Sequence, residues 1–509
     1  MKTYLRSILR DALASFELES IPEIEIEKPN VKEHGDAATN IAMQLAQPVG
    51  DNPRNIAETI VDRLEYNEDK LQSVEVAGPG FINFRYARPY LYQLLNTILS
   101  EQANYGRTDQ HKDQRMQVEF VSANPTGPLN IGHGRNAVLG DTVARLLEWT
   151  GAHVEREYYF NDAGRQMRLL GESVQVRYLE LLGEECAFPE EGYQGEYIRD
   201  IAQSIYDAEG DELRDKELDT FQEIAENYIF EEIKHTLERL NIQMDSFFNE
   251  HTLYEDHSIN EVVEKLKEKD LAYDAEGATW FKTSEFDKEK DTVLIKSSGE
   301  PTYRLPDIAY HINKLERGFD RCIDIFGADH IDTYPDVLAA VGALGYDASK
   351  FDVLVYQFVT LVKEGKPFKM STRKANFITL DELMDEVGSD VTRFFFLMRS
   401  PSTHLEFDIA QAKEESENNP VFYLQYAHAR IQSILRKVNE RYDFENVDTD
   451  FALLEHEAEI SLIKALHDFP EVIQSAADHM EPHRLINYLY DLAGDFTTFY
   501  LVCRLLLEK

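Results

Sequence analysis

At 509 residues the chain is too long for one hydrophobic core, and ordinary domain sizes point to three or four domains. Hydrophobic content of 43% and charged content of 29% are those of a soluble globular protein, and no apolar run reaches the length of a membrane-spanning helix. A formal net charge of −42 argues against indiscriminate binding of polyanions, because such a surface repels phosphate at long range, although a local basic groove and a halotolerant source are both compatible with it. Cys186, Cys322 and Cys503 are far apart and form no C-x-x-C pair, so neither zinc nor a disulfide framework is expected, and a reducing cytoplasm is the default.

The first 16 residues, MKTYLRSILRDALASF, place apolar residues at Tyr4/Leu5, Ile8/Leu9 and Leu13/Phe16. Arg6, Arg10 and Asp11 interrupt them, so the segment reads as an amphipathic helix rather than a signal peptide. Residues 1–108 form a small α/β unit. Asp51-Asn52-Pro53 caps a helix over Asn55 to Leu64, with proline in its first turn. Val74 to Ala77 and Phe81 to Phe84 are strand-like around Gly78-Pro79-Gly80. Phe81 is expected in the core, since a phenylalanine in such a strand usually is. The alternative is an exposed pair, Phe81 and Asn83, that contacts a base.

The second unit opens with VEFVSANPTGPLNIGHGR, Val118 to Arg135. A β-rich run, Val118 to Val121, breaks into a loop with Asn124-Pro125 and Gly127-Pro128 and then enters a long helical pattern. Strand, Gly/Pro loop and helix N-terminus are the parts of a phosphate-binding crossover. The loop is longer and more polar than a connector requires. Val138, Thr142, Leu146 and Trp149 keep helical spacing, Gly151 is a plausible C-cap, and His153 to Tyr159 alternates as a strand. The result is a strand–helix–strand unit of a nucleotide-binding sheet, with its crevice at the carboxyl ends of the strands, where Asn161 and Asp162 also fall.

From Met167 to Asn249 the pattern is of long acidic helices, including Gly195 to Ala208 and Lys216 to Leu240. They are read as solvated surface without chemistry, inserted between two halves of the sheet. Strand signals return at Thr279 to Lys282 and Val293 to Ile295, then at Cys322 to Phe326 and Val353 to Leu361. Polar constellations accompany them. PTYRLPDIAYH puts Tyr303 and Asp307 on one helix face, and FGADHID puts Gly327, Asp329 and His330 directly after a strand. The stretch Val362 to Leu383 concentrates Lys363, Lys366, Lys369, Arg373 and Lys374 in an acidic chain, which suggests a polyphosphate partner. From Asp408 onward the chain is helical, with Tyr423, Tyr426/Ala427, Arg430/Ile431 and Ile434 at helical spacing. Helices follow over Glu457 to Phe469, Glu471 to His479 and Pro482 to Leu507, as in an appended recognition domain.

NIGHGR resembles the HIGH signature of class I aminoacyl-tRNA synthetases, and KMSTR resembles their KMSKS loop. VEFVSANPTGPL, YYFNDAGRQM, PTYRLPDIAYH, FGADHID and NPVFYLQYAHARI resemble bacterial arginyl-tRNA synthetases. GDAATNIAMQLA and GPGFINF are similar to that family's additional domain. The resemblance spans essentially the whole chain. It implies a Rossmann-like α/β catalytic domain over 109–407 with a helical insertion at about 167–290. A small N-terminal α/β domain over 1–108 and an all-α anticodon-binding domain over 408–509 flank it.

The implied reaction ligates L-arginine to tRNA(Arg) through an arginyl-adenylate, with ATP as substrate, Mg²⁺ beside its phosphates and no protein-held metal. Positioning and charge stabilisation would supply the catalysis. Residues carried over for ATP are Ala123, Asn124, Pro125, Thr126, Gly127, Pro128, Leu129, Asn130, Ile131, Gly132 and His133. Lys369, Met370, Ser371, Thr372 and Arg373 would close over pyrophosphate, and Asn130, His133, Lys369 and Arg373 would act on the reacting phosphates. A guanidinium is a permanent cation with five donors in a planar fork, so its pocket must offer carboxylate and a flat surface. Asp307 and Glu119 are the carboxylates, Tyr303 packs on the head group, and Asn124 and His330 hold the amino and carboxylate ends. Such a site rejects lysine without an editing domain. Phe81 and Asn83 would meet the tRNA elbow, and Tyr423, Tyr426 and Arg430 the anticodon. The family further implies tRNA-dependent adenylate formation, a monomer and no membrane.

Three departures stand out. Asn130 replaces the first histidine of the signature and can donate only a neutral hydrogen bond. Thr372 stands at the fourth KMSKS position, so Arg373 or Lys374 must supply the cation. The chain ends at Leu505-Leu506-Leu507-Glu508-Lys509, where relatives usually continue through another helix, so a shortened anticodon domain is expected. These departures keep open a weakened paralogue that binds tRNA or arginine as a regulator.

Overall fold

The structure, a computed structural model, describes residues 1–14, 16, 18, 20–29, 31–161, 165–286, 288–363, 365–368, 378–440 and 450–507. By contact the chain divides into two compact units, Met1–Tyr105 with Ile431–Phe469 and Gly494–Lys509, and Gly106–Arg430 with Pro470–Ala493. The C-terminal helices thus contribute to both.

In the first unit an antiparallel sheet in the order β1-β3-β2 joins β1 (Ala37–Thr39), β2 (Leu71–Ala77) and β3 (Phe81–Tyr86). The helices Lys2–Leu13 and Pro53–Asp62 contribute Leu5, Leu9, Leu13, Ile56 and Ile60 to a core shared with Ile82 and Phe84. Asn52 caps the second helix by accepting the Arg54 N–H at 2.9 Å, with Pro53 in the first turn. Gly80, at φ +134°, has no alternative, because a Cβ there would stand 2.8 Å from the Pro53 backbone. The alternation of β3 turns Ile82, Phe84 and Tyr86 inward, so the expectation that Phe81 is core fails, and it is exposed on the same strand face as Asn83.

The break expected at Pro470 is also absent, since Glu457–Asp478 is one helix with the proline inside. Pro470 cannot donate to the carbonyl of Leu466 four residues back, and that carbonyl instead accepts the Tyr105 hydroxyl at 2.9 Å.

The second unit is built on a five-stranded parallel sheet. In chain order its strands are β4 (Arg115–Glu119), β5 (His153–Phe160) and β6 (Ser246–Asn249). A separate antiparallel sheet, β7 (Ala272–Ala275), β8 (Ala278–Phe281) and β9 (Thr292–Ile295), follows, and then β10 (Arg321–Gly327) and β11 (Phe351–Tyr356) complete the first. The spatial order β11-β10-β4-β5-β6 places a topological switch point between β4 and β10, the position at which open α/β sheets bind ligands beyond the carboxyl ends of the strands. A third sheet joins β12 (Val359–Lys363), β13 (Lys366–Phe368) and β14 (Leu405–Asp408).

Three expectations are corrected here. Ser246–Asn249 is a strand of the main sheet, paired to β5 from Glu157↔Ser246 to Phe160↔Asn249, rather than the end of the acidic helices. Short and polar at its ends, it carries too little alternation to read. The strands near Thr279 and Val293 lie outside the parallel sheet, and the run Val353 to Leu361 is split between two sheets. The acidic helices themselves fall at Arg165–Leu181, Glu196–Glu209 and Leu218–Arg239. No described helix is long and apolar enough to cross a membrane.

Candidate active site

The site is assembled where β4 ends. The strand stops at Glu119 rather than Val121, because the backbone then turns into the left-handed region at Val121 (φ +67°) and Ser122 (φ +41°). A β-branched residue there is strained, and such strain persists only where the surroundings impose it. Asn136, one turn into the helix Ile131–Trp149, imposes it. Its Oδ1 accepts the Val121 N–H at 2.6 Å, while its Nδ2 donates to the Ile325 carbonyl of β10 at 2.9 Å. One amide therefore stitches the loop, the helix and both strands of the switch point together.

The helix Ile131–Trp149 begins with a capping box. Asn130 Oδ1 accepts the His133 N–H at 3.1 Å, and His133 Nδ1 accepts the Asn130 N–H at 3.3 Å. This gives Asn130 a defined structural role and fixes the histidine tautomer, since Nδ1 accepts and the proton resides on Nε2. Burial pushes the His133 imidazole down to about 4, so near neutral pH it is an uncharged donor. The positive end of the helix dipole lies beside it. Gly134 admits close packing, since a Cβ would meet Leu380 at 2.7 Å and Phe396 at 2.9 Å. Leu380 in turn donates its N–H to the Leu129 carbonyl at 2.8 Å, and Asn130 bridges Thr379. The downstream end of the basic loop is thus tied to the start of this helix. Lys369, Met370, Ser371, Thr372, Arg373, Lys374 and Asp162 lie outside the described residues.

Beneath the loop is a buried charge network. Lys314 is fully buried and donates to Glu119 at 2.6 Å and to Asp324 at 2.5 Å. The two carboxylates overcome the burial cost and hold the ammonium above its ordinary range, and the lysine holds Asp324 well below the carboxylate range. Glu119 also accepts the Ser122 hydroxyl at 2.9 Å. His311 Nε2 donates to Asp324 across 3.0 Å, and its Nδ1 lies 2.7 Å from the Asp307 carbonyl. On β5, Glu157 receives Arg317 in a two-pronged pair at 2.5 and 2.6 Å, with Tyr310 at 2.6 Å. Lys314 lies seven residues beyond Asp307, on one helix face, and that spacing is the signal by which it could have been found.

Asp307 differs from these paired carboxylates. No side-chain hydrogen bond reaches its carboxyl among the described residues, and enclosure by protein pushes it up to about 7, with Glu119 and Glu250 adding to the rise and His311 opposing it. Glu250 accepts the Tyr159 hydroxyl at 2.7 Å, and Tyr159 lies 4.5 Å from the Tyr310 ring. A pocket with this excess of buried negative charge is complementary to a bound cation. Tyr303, at the head of the same helix, is 73% exposed. Asn124 is exposed and donates to Gln166 at 2.9 Å, while the Ala123 carbonyl accepts Tyr158 at 2.7 Å. His330 follows β10, exposed and stacked on Phe326.

Arg135, the last residue of the stretch Val118 to Arg135, points elsewhere. It is buried and donates to the Gln357, Ser400 and Thr403 carbonyls. Tyr423 packs on Tyr490, and Tyr426 is 52% exposed, with the Arg430 guanidinium over its ring.

The parallel sheet, the switch-point crevice and a capped signature helix with a neutral histidine define the catalytic unit of a class I aminoacyl-tRNA synthetase. Residues 94–395 match the class I tRNA synthetase (R) catalytic domain, residues 3–86 the arginyl-tRNA synthetase N-terminal domain, and residues 424–509 the DALR anticodon-binding domain. An arginine–tRNA ligase of Salinibacter ruber is 54% identical, covering 100% of this chain and 94% of its own, and one of Chlorobaculum parvum is 49% identical over 99% and 94%. The fold is shared with the Thermus thermophilus arginyl-tRNA synthetase at a TM-score of 0.76 and 22% identity, over 98% and 92% of the two chains. The chain belongs to the arginyl-tRNA synthetase family.

Proposed function

We propose that the chain ligates L-arginine to tRNA(Arg) in the two steps of class I synthetases. The arginine carboxylate attacks the α-phosphate of ATP, pyrophosphate leaves, and a ribose hydroxyl of the terminal tRNA adenosine takes the arginyl group from the adenylate, releasing AMP. The observation that carries this reading is the pairing, at one switch point, of a half-buried carboxyl at Asp307, without a side-chain hydrogen bond among the described residues, with a neutral donor at His133 on a helix N-terminus. One is complementary to a guanidinium and the other to a phosphate.

In this reading Asp307 and Glu119 face the guanidinium and Tyr303 folds over it. Asn124 and His330 hold the α-amino and carboxylate groups. Asn130 shapes the helix end through its cap, and His133 Nε2 donates to a phosphate oxygen. Lys369 and Arg373 supply positive charge over pyrophosphate. Because Lys314 already neutralises much of Glu119, Asp307 is the carboxylate whose charge the substrate satisfies. Mg²⁺ accompanies ATP and screens its phosphates.

Three domains, 1–108, 109–407 with the insertion at about 167–290, and 408–509, would divide the labour. Phe81 and Asn83 would meet the tRNA elbow, and Tyr423, Tyr426 and Arg430 the anticodon loop. We further assign the chain to the cytoplasm as a monomer. Charging assays test the reading. Labelled arginine should become acid-precipitable on tRNA(Arg), whereas lysine and citrulline should not; charging with lysine at a comparable rate would refute the pocket.

A further inference from the structure

The acidic helical insertion offered no chemistry to sequence reasoning, yet two of its residues reach the signature loop. Tyr197, in the first turn of the helix Glu196–Glu209, donates its hydroxyl to the Thr126 carbonyl at 2.7 Å. Its ring occupies a slot between two glycines. A Cβ on Gly127 would lie 3.0 Å from the ring, and one on Gly195 would lie 2.2 Å from it. Glycine at both positions is what leaves room for the ring against the loop. The slot is itself secured, since the Tyr193 N–H donates to Ser173 Oγ at 2.9 Å and a Cβ on Gly192 would meet that oxygen at 2.9 Å. Gln166, at the start of the helix Arg165–Leu181, accepts the Asn124 side-chain amide at 2.9 Å.

We propose that Tyr197 is a positioning residue for ATP and Gln166 one for arginine, so that the insertion holds the two halves of the loop Asn124–Leu129 in register with their substrates. The proposal rests on the substrate assignment given above. Tyr197 touches neither ATP nor arginine. It fixes the Thr126–Gly127 peptide three to four residues ahead of the Asn130 cap, and displacement there moves the helix end that meets the phosphates. Gln166 fixes the rotamer of Asn124, which faces the amino acid. A site held by such supports loses rate steeply when they loosen.

The test is steady-state aminoacylation by the full chain, varying ATP and arginine separately. Tyr197→Phe keeps the ring in its slot and removes one neutral hydrogen bond, so the KM for ATP should rise about fivefold. The KM for arginine should stay within about twofold and the melting temperature should fall by no more than about 2 °C. Gln166→Leu should give the reverse split, raising the arginine KM. His133→Ala and Asn124→Ala, measured alongside, test the substrate assignment itself. If they raise the ATP and arginine KM respectively while Tyr197→Phe and Gln166→Leu raise neither, the bracing role is wrong and the assignment stands. If His133→Ala leaves the ATP KM unchanged, the assignment fails and the Tyr197 proposal with it. Equal rises in both constants together with a lowered melting temperature, for either brace variant, would reduce that residue to a structural role and overturn the proposal.

Discussion

Replacing Asp307 by asparagine keeps the side-chain shape and removes the charge, and the account predicts opposite effects on binding and on stability. Removing one partner of a buried ion pair costs about 3–5 kcal/mol, so the arginine KM should rise by roughly two to four decades while the ATP KM stays within about twofold. The free protein should gain. In the folded chain the Asp307 carboxyl is pushed from an ordinary 3.8 to about 7, chiefly by burial. A shift of roughly 3 units corresponds to about 4 kcal/mol of penalty once the group is ionised in both states. The folded state binds the proton more tightly, so this penalty is absent below about pH 4, grows as pH rises toward about 7 and is constant above it. Asp307→Asn should therefore melt a few degrees higher than the parent at pH 8 and alongside it at pH 4.

The same carboxyl makes arginine binding proton-linked. Below about pH 7 a proton must leave as the guanidinium enters, and the arginine Kd should rise up to about tenfold per pH unit. Calorimetry in buffers of different ionisation enthalpy would register the released proton. Retained arginine affinity in Asp307→Asn, or a lower melting point at pH 8, would refute the reasoning.

Asn130→Ala removes the side-chain half of the capping box and should cost about 1 kcal/mol of stability by thermal unfolding, together with a raised ATP KM. Asn130→Asp should keep the cap but repel phosphate, retaining the melting temperature while raising the ATP KM. Lys314→Met leaves Glu119 and Asp324 buried without their cation, and denaturant unfolding should show a loss of about 3–5 kcal/mol. Raising KCl from about 0.1 M to about 1 M shortens the Debye length from about 10 Å to about 3 Å. With a net charge of −42 the chain should then melt higher, and a fall in melting temperature would contradict a destabilising self-repulsion.

The local geometry of the candidate site is legible in the sequence, because it is set by neighbouring residues. Asn130 to His133 and Tyr303 to Asp307 are short-range patterns, in which a cap, a turn or one helix face sets the geometry. The helix over Ile131–Trp149, the Gly151 stop and the Asn52-Pro53 cap follow from neighbouring residues in the same way. What sequence missed depends on pairing across distance. Lys314, on the helix Arg304–Glu316, bridges Glu119 and Asp324 because β4 and β10 are neighbours, and Asn136 reaches Ile325 for the same reason. The strand Ser246–Asn249 is fixed by its pairing to β5, not by its own four residues. Phe81 is exposed because the alternation of its strand, not its residue type, decides its face. Tyr197 was passed over because it lies among acidic residues whose surface is otherwise solvated.

The most direct test of the central claim is ATP–pyrophosphate exchange, run with each amino acid in the presence and absence of tRNA. The account predicts exchange with arginine and with no other amino acid, and the family resemblance adds that tRNA(Arg) must be bound. A chain that binds tRNA(Arg) yet supports no exchange with arginine at any salt concentration would be a binding protein, and the catalytic reading would be wrong.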